Sequence, residues 1–117
     1  MIEERAKDLG RLIGQSQEYQ GVKRANDALN NDREAIALLQ KMEQLRGDAQ
    51  RMIERGEQPT DEMEEALNDL LSTVQHNPAY QQFVVAQENF DKTMMRVNQW
   101  ILEGIKKGAA SPIITLG

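Results

Sequence analysis

Apolar side chains recur every three or four residues along most of this chain, a spacing that predicts amphipathic helices. The predicted helices cover about residues 2–14, 16–29, 33–55, 61–75 and 77–107. Gly10 and Gly14 weaken the first helix. The first two helices could instead form one bent helix. No stretch sustains the apolar and polar alternation of a strand. The predicted fold class is therefore all-α.

Residues that favour helix ends separate these segments. Ser16, Asp32, Thr60 and Asn77 are predicted N-caps, and Gly56 is expected to end the helix before it. The short link over residues 56–60 favours an antiparallel hairpin. The predicted architecture is that hairpin followed by a long C-terminal helix, with the short N-terminal helices packed across them. We expect one all-α domain over residues 1–107 and a flexible, non-helical tail over 108–117.

The last predicted helix is too long for a small globule. Its thirty residues would span roughly 45 Å, whereas a compact monomer of this length is only about 35 Å across. Part of its surface must therefore project from the fold or be covered by another chain. This mismatch predicts an oligomeric bundle.

Two apolar strips follow this long helix. The first strip consists of Tyr80, Phe83, Phe90, Met94, Val97, Ile101 and Ile105. The second strip consists of Val84, Met95 and Leu102, and we place the only tryptophan, Trp100, beside it. Both strips could be ordinary core, which is favoured for the first; for the second, a subunit interface is at least as well supported, since interfaces favour aromatic residues and Met. The residues predicted to form core or oligomer interface are Phe83, Phe90, Met94, Met95, Val97, Trp100, Ile101 and Leu102.

Composition restricts the function further. The chain has 117 residues, a formal net charge of −5 and no cysteine. An acidic chain without clustered Lys and Arg argues against direct nucleic-acid binding, and the missing thiols exclude disulfides and thiolate metal sites. The charged N-terminus lacks a signal-peptide pattern, and no apolar run reaches membrane-spanning length. We expect a soluble, cytoplasmic protein.

No motif indicates a catalytic reaction. Residues 54–69 hold seven acids against one base, Arg55, and they include the candidate acidic docking patch of Glu57, Asp61, Glu62, Glu64 and Glu65. A solvated hairpin tip is the simpler interpretation, and a docking site for a basic partner is the alternative. His76 lacks the Glu three residues before it that a di-iron bundle would supply, and we interpret it as a capping or surface residue. No cofactor or metal is predicted. The apolar tail residues Ile113, Ile114, Thr115 and Leu116 are expected to be disordered, and pairing with a partner or a symmetry mate is the alternative.

The order of these signals resembles the YlbF/YmcA family of small helical bacterial regulators, which shares its plan with YheA-type proteins. The matching residues are Ala6, Leu9, Gly10, Ile13, Ser16, Tyr19, Ala25, the run from Asn31 to Ala35, Gly56, the Asn77-Pro78 pair, Phe83, Val97 and Ile101. The resemblance covers nearly the whole chain. Each piece is a cap or an apolar spacing, so the likeness rests on their order.

The resemblance implies a non-enzymatic, oligomeric adaptor, often a dimer. Family members assemble with one another and with a third protein, and the assembly influences endoribonuclease Y-dependent mRNA processing, competence, biofilm formation and sporulation. The iron–sulfur cluster that some members hold through cysteines is not carried over, because this chain has none. The expected partners are the chain itself and other regulatory proteins. A nucleic-acid-binding regulator acting directly is the alternative, and an enzyme is the third possibility.

Overall fold

The computed structural model describes residues 1–110, which form five α-helices. They are α1 (Ile2–Gly14), α2 (Gln17–Asn30), α3 (Arg33–Glu54), α4 (Asp61–Gln75) and α5 (Pro78–Ala110). No strand occurs within these residues, and the predicted all-α class is confirmed. The apolar segment at 113–116 lies outside the described residues.

All four predicted N-caps are confirmed by hydrogen bonds that their side-chain oxygens accept from backbone N–H groups. Ser16 Oγ accepts from the Tyr19 N–H at 3.1 Å and thereby separates α1 from α2, which excludes a single bent helix. The other three caps make the same contact three residues onward: Asp32 to Ala35 at 3.0 Å, Thr60 to Met63 at 3.1 Å, and Asn77 to Tyr80 at 3.0 Å. Each cap satisfies a donor that the first turn of the helix leaves without an intrahelical partner.

The hairpin turn after α3 depends on Gly56. This residue has a φ of +79°, in the left-handed region where a Cβ is unfavourable. Its N–H donates to the Ile53 carbonyl at 3.0 Å, and the Glu57 N–H donates to the Met52 carbonyl at 2.8 Å. These two bonds form a Schellman motif, which stops α3 and reverses the chain toward α4.

The end of α5 differs from the prediction. We expected no helix beyond Lys107, but α5 continues to Ala110. Gly108 costs only about 1 kcal/mol relative to alanine within a helix, and two alanines, the best helix formers, follow it. A single glycine is therefore too weak a signal to end a helix of this length.

The helices form two antiparallel arms. The arm of α3 and α4, the hairpin arm, is closed by the Gly56 turn. In the other arm, the body arm, α1 lies near Ile101, Tyr19 of α2 contacts Phe90, and the end of α2 meets the start of α5 at Asn77. From the start of α1 to the end of α2, the neighbouring residues of α5 have decreasing sequence numbers. These two helices therefore run antiparallel to α5. The contact between α2 and α5 is the most extensive interhelical contact, whereas α4 touches α5 only to a limited extent.

The arms meet at a polar junction, which we define as Asp32 and Asn77. Asn77 Nδ2 donates to Asp32 Oδ2 at 3.3 Å, so the N-caps of α3 and α5 are hydrogen-bonded to each other. Buried apolar residues lie on the helices that enter and leave these two turns, including Leu29, Ala35 and Val74. The junction therefore fixes where the two arms join.

The molecule is elongated. Its Cα radius of gyration is 21.4 Å, whereas a compact chain of this length has about 13 Å. The principal extents are 66 × 37 × 20 Å, and the longest exceeds the roughly 50 Å of α5 alone. The hairpin arm therefore projects beyond the body arm, and each arm has a side that its own chain leaves uncovered.

Candidate interaction surfaces

The first apolar strip of α5 is covered over only part of its length. Val97 is buried, and Tyr80, Phe83, Phe90 and Met94 are half-buried. Beyond Val97 the strip is open, because Ile101 and Ile105 are exposed. The cause is the register of the body arm: α2 begins beside Phe90, and only α1 reaches the end of α5. Ile101 and Ile105 are therefore not part of the core of the single chain, and an interface role for Ile101 stays a prediction.

The second strip is half-buried at Val84 and exposed at its other two members. Met95 is 62% exposed and Leu102 is 57% exposed. Together with Ile101 and Ile105, which lie on the same side of α5, they define a surface that we call the apolar end face: Met95, Ile101, Leu102 and Ile105. Residues at this spacing lie within about a third of the circumference of a helix. Large apolar side chains grouped in this way mark a surface suited to binding.

Trp100 does not lie beside the second strip. Each residue turns a helix by about 100°, so Trp100 lies roughly 200° from Leu102, almost on the opposite side of α5. Our placement followed proximity in sequence, which is not proximity on a helix surface. Trp100 is 62% exposed and lies one turn beyond Arg96 on the same side.

A small apolar hollow adjoins the end face. It has a volume of about 400 Å³ and lies between α1 and α5. Its lining residues are Met1, Ile2, Arg5, Ala6, Leu9 and Ile101. Ile2 is among the most exposed apolar residues of the described chain. The apolar surface of this end of the body arm therefore extends from α5 onto α1.

The acidic tip consists of Glu57, Asp61, Glu62, Glu64 and Glu65, at the closed end of the hairpin arm. All five side chains are exposed. One of them, Glu57, forms an ion pair with Arg55 at 3.6 Å, and three belong to the first turn of α4, where carboxylates are favoured by the helix dipole. Within residues 1–110 no cluster of histidine and acidic side chains has the geometry to hold a metal ion.

A basic groove lies between α2 and α5 and was absent from the sequence-based predictions. Its volume is about 450 Å³. The lining residues are Gln17, Glu18, Gly21, Arg24, Ala86, Asn89, Lys92, Thr93 and Arg96. Arg24, Lys92 and Arg96 form no ion pair with any described residue. Sequence inspection missed the groove because Arg24 is separated from the other two bases by about 70 residues and joins them only when α2 packs on α5.

The junction perturbs one ionisable group. Hydrogen bonds from the Ala35 N–H and then from the Asn77 side chain lower the pKa of Asp32 below its ordinary value of 3.8. A carboxylate with a lowered pKa in the folded state stabilises the fold above its unfolded-state pKa, and this contribution is lost as pH falls through the folded-state pKa. The junction is therefore strongest when Asp32 is ionised.

We expect Asp32→Asn to lower the melting temperature at neutral pH, although asparagine remains a good N-cap. The difference from wild type should shrink as pH falls below about 4, because the wild-type carboxylate then becomes protonated. Thermal unfolding of both proteins between about pH 7 and pH 2.5 measures this directly. A difference that stays constant throughout that range would contradict a role for the charge of Asp32.

His76 is exposed and acts at the end of α4, as predicted. Its Nδ1–H donates to the Ser72 carbonyl at 2.7 Å, which satisfies a carbonyl of the last helical turn. Thr60 and Ser16 are occupied as caps.

No helix within residues 1–110 has the length and hydropathy to cross a membrane.

These features define a class: an elongated all-α protein with exposed apolar and charged surfaces. The model of one family, described as "Control of competence regulator ComK, YlbF/YmcA", matches residues 2–106. The chain belongs to this family, as the order of its caps and apolar spacings predicted. The family is one of regulatory proteins.

Two bacterial relatives are similar to this protein over most of its length. A "UPF0342 protein" of Limosilactobacillus reuteri (strain DSM 20016) is 29% identical over 105 residues, covering 90% of this chain and 85% of the relative. A "UPF0342 protein" of Streptococcus gordonii (strain Challis) is 24% identical over 101 residues, covering 86% and 90% respectively. The similarity thus spans both arms.

The same fold occurs in a solved structure, "Protein of Unknown Function (DUF964) from Bacillus stearothermophilus". Its TM-score against this chain is 0.68 at 17% identity, covering 95% of this chain and 97% of the other. At this identity the likeness establishes the fold alone. The fold is therefore compatible with a sequence that differs at most positions.

Proposed function

We propose that this chain is a non-enzymatic adaptor that works by assembling with other protein chains, and that its first partner is a second copy of itself. The observation that carries the proposal is the apolar end face, which lies on the C-terminal half of α5 in the body arm. An exposed cluster of Met, Leu and Ile side chains is costly in water and gains free energy when another protein covers it.

The small core supports self-association. Only six apolar residues are buried among the 110 described, and two of them are alanines: Ala25, Leu29, Ala35, Met42, Val74 and Val97. Most other inward-facing residues of α3 and α4 are only half-buried. A two-helix arm leaves one side open, and pairing of two such arms would give four helices around a shared core, as in helix bundles. Association would thus supply burial that a single copy lacks.

The regulatory role follows the family. As an adaptor in the manner of YlbF/YmcA proteins, the chain would act in competence, biofilm or sporulation control and influence endoribonuclease Y-dependent mRNA processing by joining other regulatory proteins. The absence of cysteine means that this role would proceed without a thiolate-bound iron–sulfur cluster. Assembly, and not chemistry at a catalytic centre, is the proposed activity.

Light scattering coupled to size exclusion, over a series of protein concentrations, tests the proposal. We expect a species of at least twice the 13.3 kDa chain mass. Such a species indicates that the uncovered apolar surface is satisfied by another copy. A mass of one chain at every concentration would refute self-association and leave the end face to a different protein.

A further inference from the structure

We propose that the basic groove of one copy receives the acidic tip of a second copy. This inference rests on the proposed self-association and names a second, polar contact within it. The apolar end face would supply affinity, and the groove and tip would determine how the copies are oriented, since charge complementarity chiefly governs specificity and register.

The groove has the composition of an anion-binding surface. Three cationic side chains and one carboxylate, Glu18, line it together with the amides of Gln17 and Asn89. The first turn of α2 also lies at the groove, so the positive end of its dipole adds to the field of the bases. The Arg24 guanidinium lies over Gly21, 3.9 Å from where a Cβ would be. A small residue at this position leaves space above the groove floor.

The acidic tip is the complementary surface on the same chain. Residues 54–69 carry seven acids and one base, which leaves twelve acids and thirteen bases elsewhere. The negative charge of the protein is therefore concentrated at one end of the hairpin arm. Each surface also has an exposed apolar neighbour: Trp100 lies one turn beyond Arg96, and Ile53 lies in the last turn of α3. Aromatic anchors beside charged contacts are typical of interface hot spots.

The tip and the groove of a single chain cannot meet. The groove lies on the body arm, and Thr93, which lines it, is about 24 Å from the junction along α5. The tip lies about 33 Å from the junction along α3. The arms diverge, as the limited contact of α4 with α5 and the 66 Å length indicate. The acids must therefore come from another copy. In a twofold arrangement each copy would insert its tip into the groove of the other.

A nucleic acid fits this groove less well. Binding that follows a phosphate backbone relies on many cationic contacts, whereas the groove offers three bases on a chain of net charge −5. Five carboxylates carried by every copy are the better-matched source of negative charge.

Charge reversal tests the contact. The groove variant is Lys92→Glu with Arg96→Glu, and the tip variant is Glu62→Lys with Glu65→Lys; all four residues are exposed. We expect each variant to raise the dissociation constant of the assembly about tenfold or more. The chain that carries all four changes, and an equimolar mixture of the two variants, should both regain much of the wild-type affinity. Arg33→Glu with Lys41→Glu is the matched control, because it changes the net charge equally without touching the groove.

The measurement is mass in solution against concentration, at about 50 mM and about 500 mM salt, with helicity checked by circular dichroism. A monomeric wild type would refute the proposed function itself. An associating wild type that the groove variant leaves unchanged would overturn only the groove contact. Weakening by both variants without recovery in the four-change chain would also overturn it. Binding of a single-stranded oligonucleotide that the groove variant abolishes, with no change in mass, would assign the groove to nucleic acid instead.

Discussion

Replacing Leu102 with glutamate is expected to convert the assembly into monomers while leaving the protein helical. Leu102 is 57% exposed in one copy, so the substitution leaves the core of a single chain intact, and glutamate forms helices nearly as well as leucine. In an apolar interface the new carboxylate would lose its hydration without a partner, at a cost of about 3 kcal/mol. This corresponds to a roughly hundredfold weaker association.

Gln82→Glu is the matched control for this variant. It adds the same charge to an exposed position of the same helix, but near the junction and away from the apolar end face. Light scattering should give a halved mass for Leu102→Glu and a wild-type mass for Gln82→Glu. Loss of circular-dichroism signal in Leu102→Glu would instead assign Leu102 to the core of the single chain.

The second large effect is expected at Asn77, one of the two residues of the junction. Asn77 is 7% exposed, and its side chain both caps α5 and donates to Asp32. Asn77→Ala removes a cap, which costs about 1 kcal/mol, and it also removes the hydrogen bond from Asn77 to Asp32 that links the two arms. We expect the free energy of unfolding to fall by more than the roughly 1 kcal/mol of a cap alone.

Ser16→Ala isolates the capping part of this effect. Ser16 caps α2 but lies away from the junction, so its removal should cost only about 1 kcal/mol. Urea unfolding of wild type and both variants, at one protein concentration because association adds to apparent stability, gives the comparison. Equal losses for the two variants would mean that the bond between Asn77 and Asp32 contributes nothing to stability.

Most helix boundaries were predictable because a few neighbouring residues determine them. A cap contacts the backbone three residues onward, so Ser16, Asp32 and Thr60 can be recognised from the chain alone. The Gly56 turn is local in the same sense, since its two hydrogen bonds span no more than five residues. The resemblance to the family rested on these same signals.

The junction and the groove were not predictable in this way. Asp32 and Asn77 were both recognised as caps, but 45 residues separate them, and nothing in either motif shows that they bond to each other. Arg24 likewise lies far in sequence from Lys92 and Arg96, and only the packing of α2 on α5 brings the three together. Tertiary packing determines such contacts, and a single sequence carries no direct record of it.

The length over which the apolar strips of α5 are buried was likewise not predictable from the sequence. Spacing along α5 placed Ile101 and Val97 in one stripe, but it could not indicate how far α2 would reach. The registration of α2 against Phe90 determines that Val97 is covered and Ile101 is open. Whether the open residues contact a second copy is what the Leu102→Glu variant decides.

The arms connect over a small area at the junction, so a small rotation there would displace the distant end of the hairpin arm by a larger distance. The hairpin arm extends about 33 Å from Asp32, so a rotation of about 10° at the junction displaces the acidic tip by about 6 Å. A displacement of that size separates carboxylates from any bases they contact, because ion pairs need atoms within about 4 Å. Any rotation that follows protonation of Asp32, or substitution of Asp32 or Asn77, would therefore change which surfaces the distant acidic tip can contact.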